Sequence, residues 1–293
     1  MNKLSQKDGF WAFIFLLPSV VGILLFNFIP TITSFYLSFT KWNLLGSPKF
    51  IGLANYISLV EDPLFYKVVG QTLYFVFGTV FFEIIISLFI ALGLNSVPRF
   101  KTVFRTIYFL PVVSSMVAVA ILWNWIFDPA YGFLNYILGI FGINPIFWLS
   151  DPTWALPSII MVSVWKNLGY SSVLFLSGLQ TLPQDCLEAS SVDGANITQT
   201  FYKITLPLLS PTIFLVSITS FINAFQTFDS VYILTAGGPQ NKTNIMVYWL
   251  YKNAFEFYNM GRASAIAYVL FLIILTITLF QWYFRKKWVH FEN

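Results

Sequence analysis

Six long apolar stretches, separated by shorter polar connections, dominate the pattern of hydrophobic and polar positions along the chain. An α-helix needs about 20 apolar residues to cross a bilayer, and each of the six stretches reaches that length. Four of the six stretches have a core without any charged residue. The other two contain one charged residue each, Glu83 in the second and Lys166 in the fourth. The pattern predicts six membrane-spanning helices over residues 10–38, 68–95, 104–127, 155–179, 207–234 and 263–284.

The composition supports this interpretation. Of the 293 residues, 57% are hydrophobic and only 10% are charged, whereas a soluble domain has about 25% charged residues. Aromatic residues make up 20% of the chain and suit lipid-facing helices and membrane interfaces. We therefore expect an all-α membrane protein, with an interface belt that includes Trp123, Trp125, Trp148 and Trp154.

Lysine and arginine residues in the connections predict the orientation, because cytoplasmic loops carry an excess of them. With the N-terminus inside, nine of these cations lie on the cytoplasmic side and six outside. The turn at 97–105 and the segment 285–287 are dense in cations, while the external loop 128–154 has none. The first stretch is too long for the apolar core of a signal peptide. We expect a retained first helix and both termini in the cytoplasm.

Residues that could support catalysis or metal binding are scarce. The single cysteine, Cys186, forms no intrachain disulfide, and the single histidine, His290, lies in a basic tail. These two do not provide the ligand count of a usual metal site. Neither Lys101-Thr102 nor Lys242-Thr243 follows the glycine that a phosphate-binding loop requires. The sequence argues against a membrane enzyme, and any ATP would bind to another chain.

The connection between the fourth and fifth stretches, Leu179–Pro211, has the signals of a helix-turn-helix. Pro183 suits a helix start, and Asp185 next to it suits the positive end of the helix dipole. Gly194 supplies a turn, since glycine reaches positive φ at low cost. We expect two short helices on the cytoplasmic face, with the small residues Ala189, Ser190 and Ser191 exposed for close packing.

This connection resembles the "EAA" loop of ABC-importer permeases. The matching positions are Glu188-Ala189-Ser190, Asp193-Gly194-Ala195, Phe201, Ile204 and Leu206-Pro207, with Ser190 where the family usually has alanine. Further segments resemble the carbohydrate-uptake branch, which includes maltose-type and glycerol-3-phosphate-type permeases. Those segments are 50–65, 105–113, 121–135, 233–239 and 261–265, and Gln71-Thr72 departs from the branch's common Asn-Thr.

The resemblance implies a type I ABC importer permease fold with six transmembrane helices and a cytoplasmic coupling helix. Residues 1–66 would form the first helix and an external loop, 67–285 the permease core of five helices, and 286–293 a cytoplasmic tail. The implied partners are a second permease subunit, two ATP-binding subunits that hold ATP and magnesium, and an external solute-binding protein. The residues implied in coupling to the ATPase are Glu188, Ala189, Ser190, Asp193, Gly194 and Ala195.

Polar residues on the two helices beside this loop are candidates for a solute pathway. Ser163, Asn167 and Tyr170 share one face of the fourth span at helical spacing. Asn223 and Thr227 share a face of the fifth, with Gln226 beside them. Hydroxyl and amide groups suit a sugar, and maltose-type permeases line their solute cavity similarly. The alternative is that these residues join helices by hydrogen bonds, as polar residues often do in membranes.

Two other questions stay open at this stage. An ion-coupled secondary transporter of small polar solutes is the alternative function, although no inverted repeat of the kind common in such transporters is visible. The solute could be a disaccharide, an oligosaccharide, an amino sugar or a glycerol phosphate. The sequence does not assign roles to Glu83, Lys166 and Asp229.

Overall fold

The computed structural model describes residues 3–96 and 101–289. Arg99 in the expected cytoplasmic turn and residues 290–293 of the expected tail, including His290, lie outside the described residues. Apart from turns and irregular loops, the described part is helical except for one short antiparallel pair, β1 (Thr40–Lys41) with β2 (Lys49–Phe50). The α-helices are α1 (Lys3–Ile23), α2 (Ile29–Ser38), α3 (Ala54–Val60), α4 (Pro63–Ser96), α5 (Lys101–Val113), α6 (Met116–Ile126), α7 (Phe133–Ile140), α8 (Ala155–Gln180), α9 (Gln184–Val192), α10 (Ile197–Thr200), α11 (Leu206–Leu208), α12 (Ser210–Phe225), α13 (Asp229–Leu234), α14 (Met246–Tyr251) and α15 (Met260–Trp288). Short π-helical segments occupy Leu24–Phe28, Phe201–Thr205 and Lys252–Glu256.

Four described helical segments are long and apolar enough to cross a membrane, namely Trp11–Ser38, Pro63–Ser96, Ala155–Gln180 and Met260–Trp288. Two bent helix pairs also qualify if each pair counts as one span, which gives up to six. The pairs are Thr106–Val113 with Met116–Ile126, bent by 108°, and Ile197–Leu208 with Ser210–Phe225, bent by 65°.

The third and fifth spans, which the sequence predicts as continuous helices, are therefore interrupted. Between α5 and α6 the backbone of Ser115 is extended, with ψ at 136°. Pro111 in the last turn of α5 removes one backbone donor, which weakens the helix there. The predicted span 207–234 ends as a helix at Phe225, and α13 starts anew at Asp229. Hydropathy averaged over a span does not show these breaks, although Ser114 and Ser115 lie at the first and Gln226 and Thr227 at the second.

The chain separates into two compact units, of which the first comprises Met1–Phe65 and Leu250–Val269. In this unit the side-chain amide of Asn55 donates to the carbonyls of Ser38 and Thr40, at 2.8 and 2.9 Å. Arg262 forms an ion pair with Asp62. These contacts tie the loop that follows the first span to the start of α15.

The second unit comprises Tyr66–Trp249 and Leu270–Asn293, and α8 packs closely against several of its helices. A Cβ atom on Gly169 would overlap the carbonyl oxygen of Tyr108, so only glycine lets the backbones of α8 and α5 approach this closely. Small residues commonly permit such packing between membrane helices. The position of α8 therefore depends on Gly169.

Glu83 joins three helices of the second unit. Its side chain on α4 is buried, and Oε1 accepts hydrogen bonds from Ser171 on α8 at 2.5 Å and from Ser220 on α12 at 2.9 Å. Polar groups at this depth are costly unless they have partners. The Glu83 carboxyl therefore ties α4, α8 and α12 together within the span, and it does not pair with Lys166.

The four tryptophans expected at the membrane interface differ in their exposure. Trp125 and Trp154 are exposed, as an interface position requires, but Trp123 and Trp148 are buried. The indole N–H of Trp148 donates to the side-chain oxygen of Asn135 at 3.0 Å, and its ring lies against Phe127. The belt prediction is wrong for these two, because they pack inside the protein and Trp148 has its polar partner there.

Substituting Gly169 with valine should disrupt the packing of α5 on α8. Overpacking costs about 1–3 kcal/mol, so the thermal unfolding midpoint of the purified chain in detergent should fall clearly. Gly93→Val is the matched control, since a Cβ there meets no atom of this chain within 4 Å. Equal midpoints for the two variants would contradict the close approach at Gly169.

Replacing Glu83 with leucine should leave the hydroxyls of Ser171 and Ser220 without their shared acceptor. Each lost interhelical hydrogen bond is worth about 0.6–1.7 kcal/mol in a membrane protein. Glu83→Gln keeps an oxygen acceptor of similar size and should be the more stable variant. Thermal unfolding in detergent compares the two, and a Glu83→Leu protein as stable as Glu83→Gln would refute the three-helix tie.

Candidate functional site

A polar pocket of about 210 Å³ lies in the second unit, where the end of α12 and the start of α13 face the middle of α8. It forms where the helical backbone between Phe225 and Asp229 is interrupted, so loop residues as well as helical residues reach it. Met116, the first residue of α6, also contributes. The lining residues are Met116, Ser163, Lys166, Asn167, Asn223, Gln226, Thr227, Phe228, Asp229 and Ser230.

Five of the six pathway residues named from the sequence surround this one pocket: Ser163, Asn167, Asn223, Gln226 and Thr227. Tyr170 is not among the lining residues, and its side chain is 43% exposed. Seven residues of α-helix advance by about 10 Å, so Tyr170 lies well along α8 from Ser163. The shared helical face brings the first two α8 residues to the pocket but not the third. Their contact with a solute stays a prediction.

The pocket also contains residues to which the sequence analysis assigned no role. Lys166 lies between two named residues on α8, and Asp229 and Ser230 begin α13. The sequence could have indicated a place for Lys166 at a cavity, since a charged residue within a span commonly faces one. Asp229 and Ser230 reach the pocket through the helix break, which the apolar pattern does not reveal.

The ammonium group of Lys166 binds the backbone at the break between α5 and α6. Its Nζ donates to the carbonyl oxygens of Ser114 at 2.8 Å and Pro111 at 3.2 Å. Carbonyls released by a helix interruption need such partners inside a bilayer, where water is absent. Lys166 thus stabilises the bend that places Met116 at the pocket.

Two hydroxyl groups at the pocket have no hydrogen-bond partner among the described residues. The side chains of Ser163 and Ser230 are 7% and 4% exposed, and both oxygen atoms are buried. Buried polar atoms normally have a partner. Both serines belong to the lining residues, but neither hydroxyl oxygen is exposed to the cavity in this structure.

The helix-turn-helix between α8 and α12 has the local structure that the sequence predicts. Pro183 precedes α9, Asp185 lies in its first turn, and Gly194 adopts φ of +75° in the turn. The side chain of Asn196 accepts from the backbone of Gln199, whose side chain accepts from the backbone of Asn196, forming a capping box at α10. The loop is therefore a defined structural element.

The residues named for ATPase coupling do not all lie on its surface. Glu188, Ala189, Asp193 and Gly194 are exposed, and Ala195 is half-buried. The prediction of an exposed Ser190 is wrong, because this side chain is 4% exposed. Its hydroxyl donates to the Leu187 carbonyl at 2.7 Å and lies 3.3 Å from that of Thr200. Ser190 thus faces the inside of the helix-turn-helix.

Two apolar side chains beside the turn were not singled out from the sequence. Val192 at the end of α9 and Ile197 at the start of α10 are 87% and 90% exposed. They flank the turn at Gly194 in the sequence, and we call these three residues the apolar tip of the loop. Such residues mark a contact surface when they cluster.

The comparisons with known proteins give the family. The model for "Binding-protein-dependent transport system inner membrane component" matches residues 83–288. The probable ABC transporter permease protein YesP of Bacillus subtilis (strain 168) is 39% identical over 297 residues, covering 100% of this chain and 96% of that protein. The trehalose/maltose transport system permease protein MalF of Thermococcus litoralis is 33% identical over 282 residues, covering 95% and 94%.

A solved structure shows the same fold. A chain of the bacterial alginate ABC transporter, crystallised in complex with an alginate pentasaccharide-bound periplasmic protein, superposes with a TM-score of 0.85. The two chains are 23% identical, and the match covers 98% of this chain and 97% of that one. The all-helical permease fold and the family resemblance of the sequence are thereby confirmed. The chain belongs to the family of binding-protein-dependent transport system inner membrane components, as a multi-pass permease component of an ABC importer whose ATPase activity resides in separate subunits.

Proposed function

We propose that this permease carries a sugar or a related solute into the cell past the pocket between α8, α12 and α13. The observation that carries the proposal is the convergence of Ser163, Asn167, Asn223, Gln226 and Thr227 around one cavity. Amide and hydroxyl groups of this kind fix the orientation of polar ligands in otherwise apolar sites. The alternative of an ion-coupled secondary transporter receives no support from the family.

The size of the pocket supports a second permease subunit as a partner. Small-molecule sites typically enclose about 300–1,000 Å³, and this pocket of about 210 Å³ is smaller than that range. We expect the second subunit, whether a copy or a different chain, to complete the site. An external solute-binding protein would deliver the solute.

The apolar tip formed by Val192, Gly194 and Ile197 supports the proposed coupling to two ATP-binding subunits. Its exposed apolar surface suits a groove on a partner protein, and Glu188 and Asp193 lie exposed on the same loop. ATP and magnesium would bind to those partners, with both termini of this chain on the same cytoplasmic side. The cations Arg285, Lys286 and Lys287 at the end of α15 agree with that orientation.

Removing the amides of the pocket should reduce transport. Asn167→Leu and Asn223→Leu should each lower ATP-dependent uptake by the reconstituted importer at least about tenfold, because the solute loses hydrogen bonds and meets buried apolar surface. Thr219→Val on α12 is the control, as its hydroxyl bonds only to its own helix, at the Leu215 and Val216 carbonyls. Wild-type uptake by both leucine variants would argue against the pocket.

The turn at Gly194 should be required for coupling. Gly194→Val forces a β-branched residue to φ of +75°, which such residues rarely adopt. We expect this variant to insert normally but to lose the stimulation of ATPase activity by the solute-loaded binding protein. Gly194→Asn should retain much of it, because asparagine tolerates this conformation. A Gly194→Val importer with normal uptake would contradict the coupling role.

A further inference from the structure

The charges that line the pocket distinguish one class of solute from another. Lys166 and Asp229 are the only charged side chains among its described lining residues. Their formal charges cancel, so the pocket offers a solute no net charge. The remaining polar groups are neutral amides and hydroxyls.

Lys166 is not free to act as an anion clamp. An ammonium group has three N–H donors, and two of those of Lys166 are bound to the carbonyls of Pro111 and Ser114. Proteins that hold a phosphate or a carboxylate normally direct several donors or a bidentate arginine at it. The described lining residues contain no arginine, and the single lysine serves the helix break.

The other lining groups suit hydroxyls better than they suit anionic oxygens. The side-chain amides of Asn167, Asn223 and Gln226 can each donate and accept, as can the hydroxyls of a sugar, whereas an anionic oxygen only accepts. The carboxylate of Asp229 accepts a hydrogen bond from a sugar hydroxyl but repels an anion. Bringing like charges together disfavours the wrong binding partner.

We propose that the solute carried past this pocket is an uncharged polyhydroxylated molecule, and that Asp229, balanced by Lys166, disfavours phosphate esters and uronates. The inference rests on the proposed function and narrows its substrate class. The fold does not decide this property, since the alginate transporter, which imports an acidic polysaccharide, shares the fold. The lining residues of the pocket contribute to it.

The test uses the complete importer, reconstituted in liposomes with its partner permease, ATPase subunits and binding protein. Two probes of equal total concentration are compared for ATP-dependent uptake, a mixture of neutral mono- and oligosaccharides and a mixture of sugar phosphates and uronates. We expect uptake of the neutral mixture to exceed that of the anionic mixture by at least about tenfold. Equal or greater anionic uptake would overturn this inference and leave the proposed function intact, whereas no uptake of either mixture would overturn both.

The binding protein also selects solutes, so a variant must isolate the part played by the pocket. Asp229→Asn removes the anion and leaves Lys166 unbalanced, and the ratio of neutral to anionic uptake should fall by about tenfold. Asp229→Glu keeps the charge and should keep the wild-type ratio. An unchanged ratio in Asp229→Asn would refute the charge role of Asp229. If that variant does not assemble, the wild-type comparison still decides the class of solute.

Discussion

The arrangement of the pocket depends on the hydrogen bonds from the Lys166 ammonium group to the carbonyls of Pro111 and Ser114. A backbone group without a partner costs several kcal/mol in a bilayer, so a bend of 108° between α5 and α6 requires a donor from elsewhere. The lysine on α8 supplies it. The same residue lines the pocket, so the contact that makes the bend tolerable also places a cation at the cavity. Asp229, at the start of α13, also lines the pocket and offsets that charge.

The helices that bound the pocket also lead to the helix-turn-helix loop. The loop follows α8 and precedes α12, and Glu83 joins both of these helices to α4 through Ser171 and Ser220. A rigid displacement of the loop would therefore move both walls of the pocket together. Coupling between distant sites requires such a physical connection with two arrangements. Helix α8, the bent helical path into α12 and the buried three-helix tie provide the connection, and ATP-driven movement of partner subunits would provide the two arrangements.

Much of this organisation could be predicted from the sequence, for identifiable physical reasons. Long apolar runs give the spans, and the helical period places Ser163 and Asn167 on one face. Gly194 marks its turn because few other residues adopt positive φ. Interruptions inside an apolar run could not be predicted. The positions of Asp229 and Ser230 at the pocket and the partners of Lys166 depend on these interruptions, so they could not be predicted either. Tyr170 shares the helical face of Ser163 and Asn167 but does not line the pocket, because a shared helical face does not define a depth. Ser190 was taken as exposed because small size suits a surface and an interior equally.

The central claim is that the pocket bounded by α8, α12 and α13 is part of the route of the solute. A structure of the assembled importer with its binding protein and a neutral saccharide, held in its ATP-bound state by an ATPase-inactive variant, tests this directly. We predict density for the saccharide within hydrogen-bonding distance of Asn167 and Asn223. A saccharide bound within the membrane part of this chain but away from both residues would contradict the account.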